Sequence, residues 1–202
     1  MTISAAEVKE LRDATGAGMM DCKKALQESD GDLERATEIL REKGLASVAK
    51  RAGRAANQGL IEAYVHFNNS VGVLIEVNCE TDFVAKTEGF VQLVKDLCQH
   101  IAFYEPRWIA RDEVPAQLIE AERHVFEVQA KEAGKPEQAI PKIVEGKLEK
   151  FFKDVGGVLL DQPFIKDDKQ SVGELVDATS AKLGEKVAVR RFVRYKLGEE
   201  SE

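Results

Sequence analysis

Apolar side chains recur every three or four positions along the first part of the chain, the spacing that lays one stripe along a helix. Three short helices are predicted from it. Ser4-Ala5-Ala6-Glu7 reads as a capping box, the serine oxygen and the glutamate satisfying free amides at the start of a helix that carries Val8 and Leu11. Thr15-Gly16-Ala17-Gly18 breaks that helix, and a second carries Met19, Cys22, Ala25 and Leu26. Asp30-Gly31-Asp32 opens a third with Leu33, Ala36, Ile39 and Leu40, for which Gly44 offers a C-terminal cap.

The period then shortens. Leu60 to Phe67 and Val71 to Cys79 read as strands, and Asn68-Asn69-Ser70 between them tolerates the positive φ of a tight turn, so a β-hairpin is predicted. Phe90, Val94, Leu97 and Ile101 return to helical spacing, in a helix that covers the hairpin and ends before Pro106. A helical hairpin is predicted over about 115–155, with Leu118, Ile119, Val125 and Phe126 on one arm and Ile143, Val144, Leu148, Phe151, Phe152 and Val155 on the other. Pro141 places the start of the second arm near itself, because proline lacks the amide that a helix interior needs. Ser171-Val172-Gly173-Glu174 is a second capping box, Gly184 terminates its helix, and Val187 to Lys196 forms a last strand beside the hairpin, its alternation shifting phase across Arg190-Arg191. The fold class is α+β. Residues 1–54 make a three-helix bundle ending in a basic linker, and 55–202 a core with a small antiparallel sheet of about three strands covered by helices.

Composition narrows the function. A chain of 202 residues, 44% hydrophobic and 32% charged, supports one or two compact domains. Its net charge of −7 opposes general attraction to nucleic acid, which needs a cationic surface to release counterions, so a protein partner is expected. The charge is uneven: residues 1–60 hold ten Lys/Arg and ten Asp/Glu, which leaves the whole −7 to the remainder. Cys22, Cys79 and Cys98 are scattered and odd in number, as reduced thiols are. With no basic start and no run of ~18 apolar residues, a cytoplasmic protein without membrane contact is expected.

Most chemistry is excluded by what the motifs lack. No Gly-x4-Gly-Lys-Ser/Thr loop occurs, so no direct nucleotide binding is expected, and neither Cys-x2-Cys nor His-Glu-x2-His occurs to bind metal. Cys98 and His100, two apart, point to different sides of a helix and do not make a nucleophile and base. No enzymatic activity and no cofactor are expected. Two features remain. Lys50, Arg51 and Arg54 with Arg190, Arg191 and Arg194 would serve a ribosome- or RNA-binding module if they converged, and a solvated basic linker otherwise. Asn78-Cys79-Glu80-Thr81-Asp82-Phe83-Val84-Ala85-Lys86-Thr87 sets an aromatic among polar groups directly after a strand. Either Phe83 and Val84 turn inward, with Asp82 a helix cap, or the ring faces a partner.

Leu11-Arg12-x-x-Thr15-Gly16-Ala17-Gly18-Met19-Met20-Asp21-Cys22-Lys23-Lys24-Ala25-Leu26 resembles the signature that opens elongation factor Ts proteins. Glu80-Thr81-Asp82-Phe83-Val84-Ala85 resembles the family's central motif, and Pro141 to Phe151 with Gln162 to Asp167 resemble its later blocks, so the likeness, to the short form, spans nearly the whole chain. Where relatives carry acidic or bulky residues before Leu159-Leu160, this chain has Gly156-Gly157, leaving open how the second arm ends. The resemblance implies a ubiquitin-associated-like bundle docking on the GTPase elongation factor Tu through Arg12, Met19, Met20 and Lys23. It implies that Asp82 and Phe83, within a partner-binding motif of Thr81, Asp82, Phe83 and Val84, enter the GTPase near its magnesium and phosphate site and promote GDP release. By analogy with the duplicated core of longer relatives, a chain with one sheet completes it by pairing with a second copy.

Overall fold

The predicted caps open the chain as the sequence dictates. In the computed structural model, which describes residues 3–199, the Ser4 amide donates to the Glu7 carboxylate at 2.7 Å and the Glu7 amide to the Ser4 hydroxyl at 3.2 Å. They start helix α1 (Ala5–Thr15), followed by α2 (Met19–Glu28) and α3 (Leu33–Arg51), the last capped by Asp32, which accepts from the Arg35 amide at 3.0 Å. Val8, Leu11, Cys22, Ala25, Leu26, Ala36 and Ile39 close into one core. Gly44 does not end the third helix, contrary to expectation. Leu45, Ala46, Ala49 and Lys50 carry the helix on, and the glycine admits Ala181, whose Cβ would stand 3.2 Å from any Cβ at position 44.

Strands β1 (Gln58–Val65) and β2 (Val71–Cys79) form the predicted hairpin, with Asn69 at φ 58° and the His66 amide on the Val71 carbonyl at 2.9 Å. The last strand, β5 (Ala188–Lys196), lies on the other side of β2, giving an antiparallel sheet of order β1-β2-β5. Val73, Ile75, Val77 and Cys79 of β2 are buried, so alternation turns its remaining side chains to the opposite face. That face is open and largely apolar: Ile61, Val65, Leu74, Val193 and Tyr195 are all exposed, beside the paired Arg191 and Glu76. Arg190 and Arg191 are exposed in succession, the predicted phase shift.

A single turn, α4 (Asp82–Ala85), separates β2 from α5 (Glu88–Tyr104), in which Phe90, Leu93, Val94, Leu97, Cys98 and Ile101 are buried. The helical hairpin pairs α6 (Ala116–Glu132) with α7 (Ile140–Lys153) over a core of Val114, Ala130, Ile140, Val144, Leu148, Phe152 and Val158. Val125 and Val155, expected on the inner stripe, are exposed. A two-stranded ribbon of β3 (Pro163–Phe164) and β4 (Asp167–Ser171) then leads through the second capping box into α8 (Val172–Leu183). The chain divides into two compact units. One gathers the sequence up to Leu60 with Val77–Leu93 and Val176–Ala188; the other comprises Ile61–Glu76, Val94–Leu175 and the sequence from Val189 on.

Candidate functional site

β2 ends at buried Cys79, and within two residues the chain turns outward. Thr81, at φ −127° and ψ 154°, is the N-cap of α4, its hydroxyl accepting from the Val84 amide at 3.4 Å. Asp82 is therefore not the cap. It pairs instead with Lys86 at 2.7 Å, and the hydrogen bond from that ammonium, ahead of a smaller opposing desolvation, holds its carboxyl below the usual range. The residue that turns inward is Ala85, 4% exposed. Two positions earlier and so about 200° round the helix axis, Phe83 points the other way and is 79% exposed. Val84 lies half-buried between them.

A solvent-facing ring alone says little, since Phe67 at the tip of the β-hairpin is also exposed. What distinguishes Phe83 is its mounting. The Glu185 carboxylate accepts from the Glu80 amide at 3.1 Å, the Thr81 amide at 3.0 Å and the Thr81 hydroxyl at 2.7 Å. In return the Glu80 carboxylate accepts from the Lys186 amide at 2.7 Å and from Arg54, and the Lys186 bond is the first cause of its lowered pKa. The Lys186 ammonium then donates to the carbonyls of Ala52 and Arg54 at 2.6 and 3.0 Å. The end of α3, the root of α4 and the start of β5 are fastened at one point. Sequence reading missed Glu185 and Lys186, which carry no local motif and meet their partners only across more than a hundred residues.

Arg12, Met19, Met20 and Lys23 are all exposed. Met19 and Met20 open α2 and leave the bundle core to Cys22, Ala25 and Leu26, so Met19 is a surface residue and not the core residue that apolar spacing allowed. All four belong to the same compact unit as Phe83.

The cationic clusters are largely spoken for. The Arg51 side chain is buried and bonds the Ser47 hydroxyl and the Ser180 carbonyl, and Arg54 pairs with Glu80. Arg191 pairs with Glu76, and Arg194, 9% exposed, with Glu105 and Glu199. Of the six cations proposed for RNA, three are thus paired with carboxylates and a fourth, Arg51, is buried, which weakens that alternative. Burial pushes the Cys98 thiol up to about 12, and His100 spends both ring nitrogens on Gln162 and the Ile165 amide, so this pair offers no nucleophile and base. Among the described residues no three His, Cys, Asp or Glu side chains are grouped to hold a metal ion, and no helix is long and apolar enough to cross a membrane.

The family model described as Elongation factor TS matches residues 3–199. Among curated relatives, the elongation factor Ts of Thermoanaerobacter sp. (strain X514) is 54% identical over 98% of this chain and 96% of its own length. That of Moorella thermoacetica is 55% identical over the same shares, and that of Fervidobacterium nodosum 53% identical over 98% of this chain and the whole of its own. With an open aromatic on a fastened turn in its central motif and matches running end to end, the chain belongs to the elongation factor Ts family of translation elongation factors.

Proposed function

We propose that the chain is a guanine nucleotide exchange factor that binds elongation factor Tu carrying GDP and promotes GDP release, working in the cytoplasm without itself making or breaking a bond. The carrying observation is the Phe83 ring, 79% exposed on a turn held from below. The bundle of residues 1–54 docks through Arg12, Met19, Met20 and Lys23. Asp82 and Phe83, with Thr81 and Val84 behind them, enter the GTPase beside its magnesium and phosphate site.

Physical chemistry supports this division. Bound GDP is held by loop amides, a lysine and a metal ion that all depend on close geometry, so a small displacement weakens several contacts together. Burying the ring is worth roughly 1.5–3 kcal/mol, comparable to the ~2.7 kcal/mol that lowers nucleotide affinity a hundredfold. Coupling is reciprocal: GDP weakens binding of the factor by the factor's own effect on GDP, and incoming GTP releases it. Because Phe83 is exposed, Phe83→Ala is expected to leave the melting temperature nearly unchanged. The same variant is expected to cut stimulated release of fluorescent GDP from elongation factor Tu at least tenfold in stopped flow, about 1.4 kcal/mol. A large melting loss with normal exchange makes the ring a core residue and sinks the proposal. A second copy of the chain is proposed as a further partner, seated on the open face of the sheet.

A further inference from the structure

We infer that Glu185 is a positioning residue for the exchange reaction, holding the Thr81–Phe83 turn in its outward conformation before the GTPase arrives; this rests on the reading of Phe83 given above. α4 has only four residues and cannot sustain itself, because a helical turn fixes several dihedral angles before its first hydrogen bond forms. Its own bonds are long: 3.4 Å from the Val84 amide to the Thr81 hydroxyl, and 3.3 Å each from the Ala85 and Lys86 amides to the Thr81 and Phe83 carbonyls. At its N-terminal root the short bonds come from outside, while those within the turn, from Lys86 to Asp82 at 2.7 Å and from the Thr87 hydroxyl to the Val84 carbonyl at 2.8 Å, lie toward its far end. Glu185 Oε2 takes the amides of Glu80 and Thr81, and Oε1 takes the Thr81 hydroxyl at 2.7 Å. With its proton committed to Glu185, the Thr81 oxygen presents a lone pair to Val84, so the carboxylate acts on Phe83 through the cap.

Glu185 is itself fixed. It follows Gly184, at φ 74°, and its carbonyl accepts from the buried Ser180 hydroxyl at 2.6 Å. A turn fastened in this way presents its ring already oriented. Without the carboxylate, the outward state is one conformer among several, and apparent efficiency falls by the fraction still competent.

Three substitutions separate reach from charge. Glu185→Gln keeps the length and can still accept the two amides while its amide group faces the Thr81 oxygen; Glu185→Asp keeps the charge but is one methylene short; Glu185→Ala has neither. With GDP-loaded elongation factor Tu and full-length variants, kcat/KM for exchange is expected to fall roughly tenfold in Glu185→Ala and by an intermediate factor in Glu185→Asp, and to stay within about threefold of wild type in Glu185→Gln. In a Phe83→Ala background, Glu185→Ala is expected to cost less than twofold more, since its effect passes through the ring. The Glu80 and Thr81 amides should also lose hydrogen-exchange protection in Glu185→Ala while α2 amides keep theirs. If Glu185→Ala unfolds the chain, the Gln against Asp order decides alone. Glu185→Asp exceeding Glu185→Gln means charge and not position, and an undiminished loss in the Phe83→Ala background means general damage; either overturns the inference. Normal exchange in Glu185→Ala beside impaired Phe83→Ala overturns it while sparing the reading of the ring, whereas normal exchange in Phe83→Ala ends both.

Discussion

His100 is fully buried, yet every polar atom of its ring has a partner. Nε2 lies 3.0 Å from Gln162 Oε1 and Nδ1 accepts the Ile165 amide at 3.3 Å, while the ring stacks on Tyr104 at 4.6 Å. Gln162 cannot turn, because its amide donates to the Asp154 and Tyr104 carbonyls. The neutral tautomer protonated on Nε2 fits this cage, and a second proton on Nδ1 would face an N–H. Burial accordingly lowers the pKa to about 4, against a smaller raising effect of Gln162. Between that value and the ordinary 6.5 the unfolded chain binds a proton that the folded chain refuses, so stability is complete above the upper value and drains away as pH falls to the lower. The gap is worth about 3 kcal/mol. Urea titrations at pH values across that window should show a steep slope in the native chain and a flatter one in His100→Phe, which is less stable at neutral pH; equal slopes remove His100 as the cause. The sequence reads His100 as inert, and the structure engages both its ring nitrogens, but Gln162 lies 62 residues away and nothing local announces the cage. Phe83 was legible to a similar depth: strand end, polar neighbours and family likeness pointed to it, while the direction of its ring depends on distant Glu185.

The end of α7 shows how an element's boundary is set by backbone crowding. The chain leaves the helix at Asp154, Gly156 takes φ 79° with its amide on the Tyr104 carbonyl at 2.9 Å, and the Val158 amide returns to the Phe152 carbonyl at 2.8 Å. A Cβ on Gly157 would stand 2.4 Å from the Phe152 carbonyl oxygen and 2.8 Å from those of Phe151 and Asp154. The paired glycines therefore build the hairpin's exit, beside a clamp in which Arg111 binds Glu149 and Asp161 and lies over the Phe152 ring. Gly157→Ala should destabilise by about 3 kcal/mol, since backbone must move, and Gly156→Ala by about 1 kcal/mol, the penalty of a left-handed residue. Thermal melts of the two variants check the order, and a milder Gly157→Ala would contradict the crowding. Elements with strong periodicity and caps were legible: the three helices, the β-hairpin, the helical hairpin and the strand over 187–196 with its phase shift. The β3–β4 ribbon was not, because Asp167-Asp168-Lys169-Gln170 shows no apolar alternation and owes its pairing to tertiary context. The end of α3 was misread because Gly44 serves close packing and not a cap.

For the whole molecule, the open sheet face is the feature that solvent tolerates least. Ile61 is 65% exposed, Val65 63% and Tyr195 72%, and Leu74 and Val193 lie on the same side of the strands. Large apolar side chains gathered on the open face of an antiparallel sheet are ordinarily packed against another layer. The second copy proposed above would meet it through a two-fold axis, the outer residues of one sheet packing on those of the other. Such an interface is self-complementary, so one charge per chain enters it twice. Ile61→Asp with Tyr195→Glu buries up to four carboxylates in the dimer but touches no core of the single chain, because both side chains already face water. Sedimentation equilibrium over the micromolar range should show the native chain as a dimer with concentration-dependent mass, and the double variant as a folded monomer with unchanged far-ultraviolet circular dichroism. Fluorescent-GDP release measured on that monomer then separates assembly from exchange. Phe83 and the α2 methionines belong to the other compact unit, so the exchange rate per chain should persist within about threefold once the chains are apart. A native chain that sediments as a monomer across the range would mean that something other than a second copy covers the face.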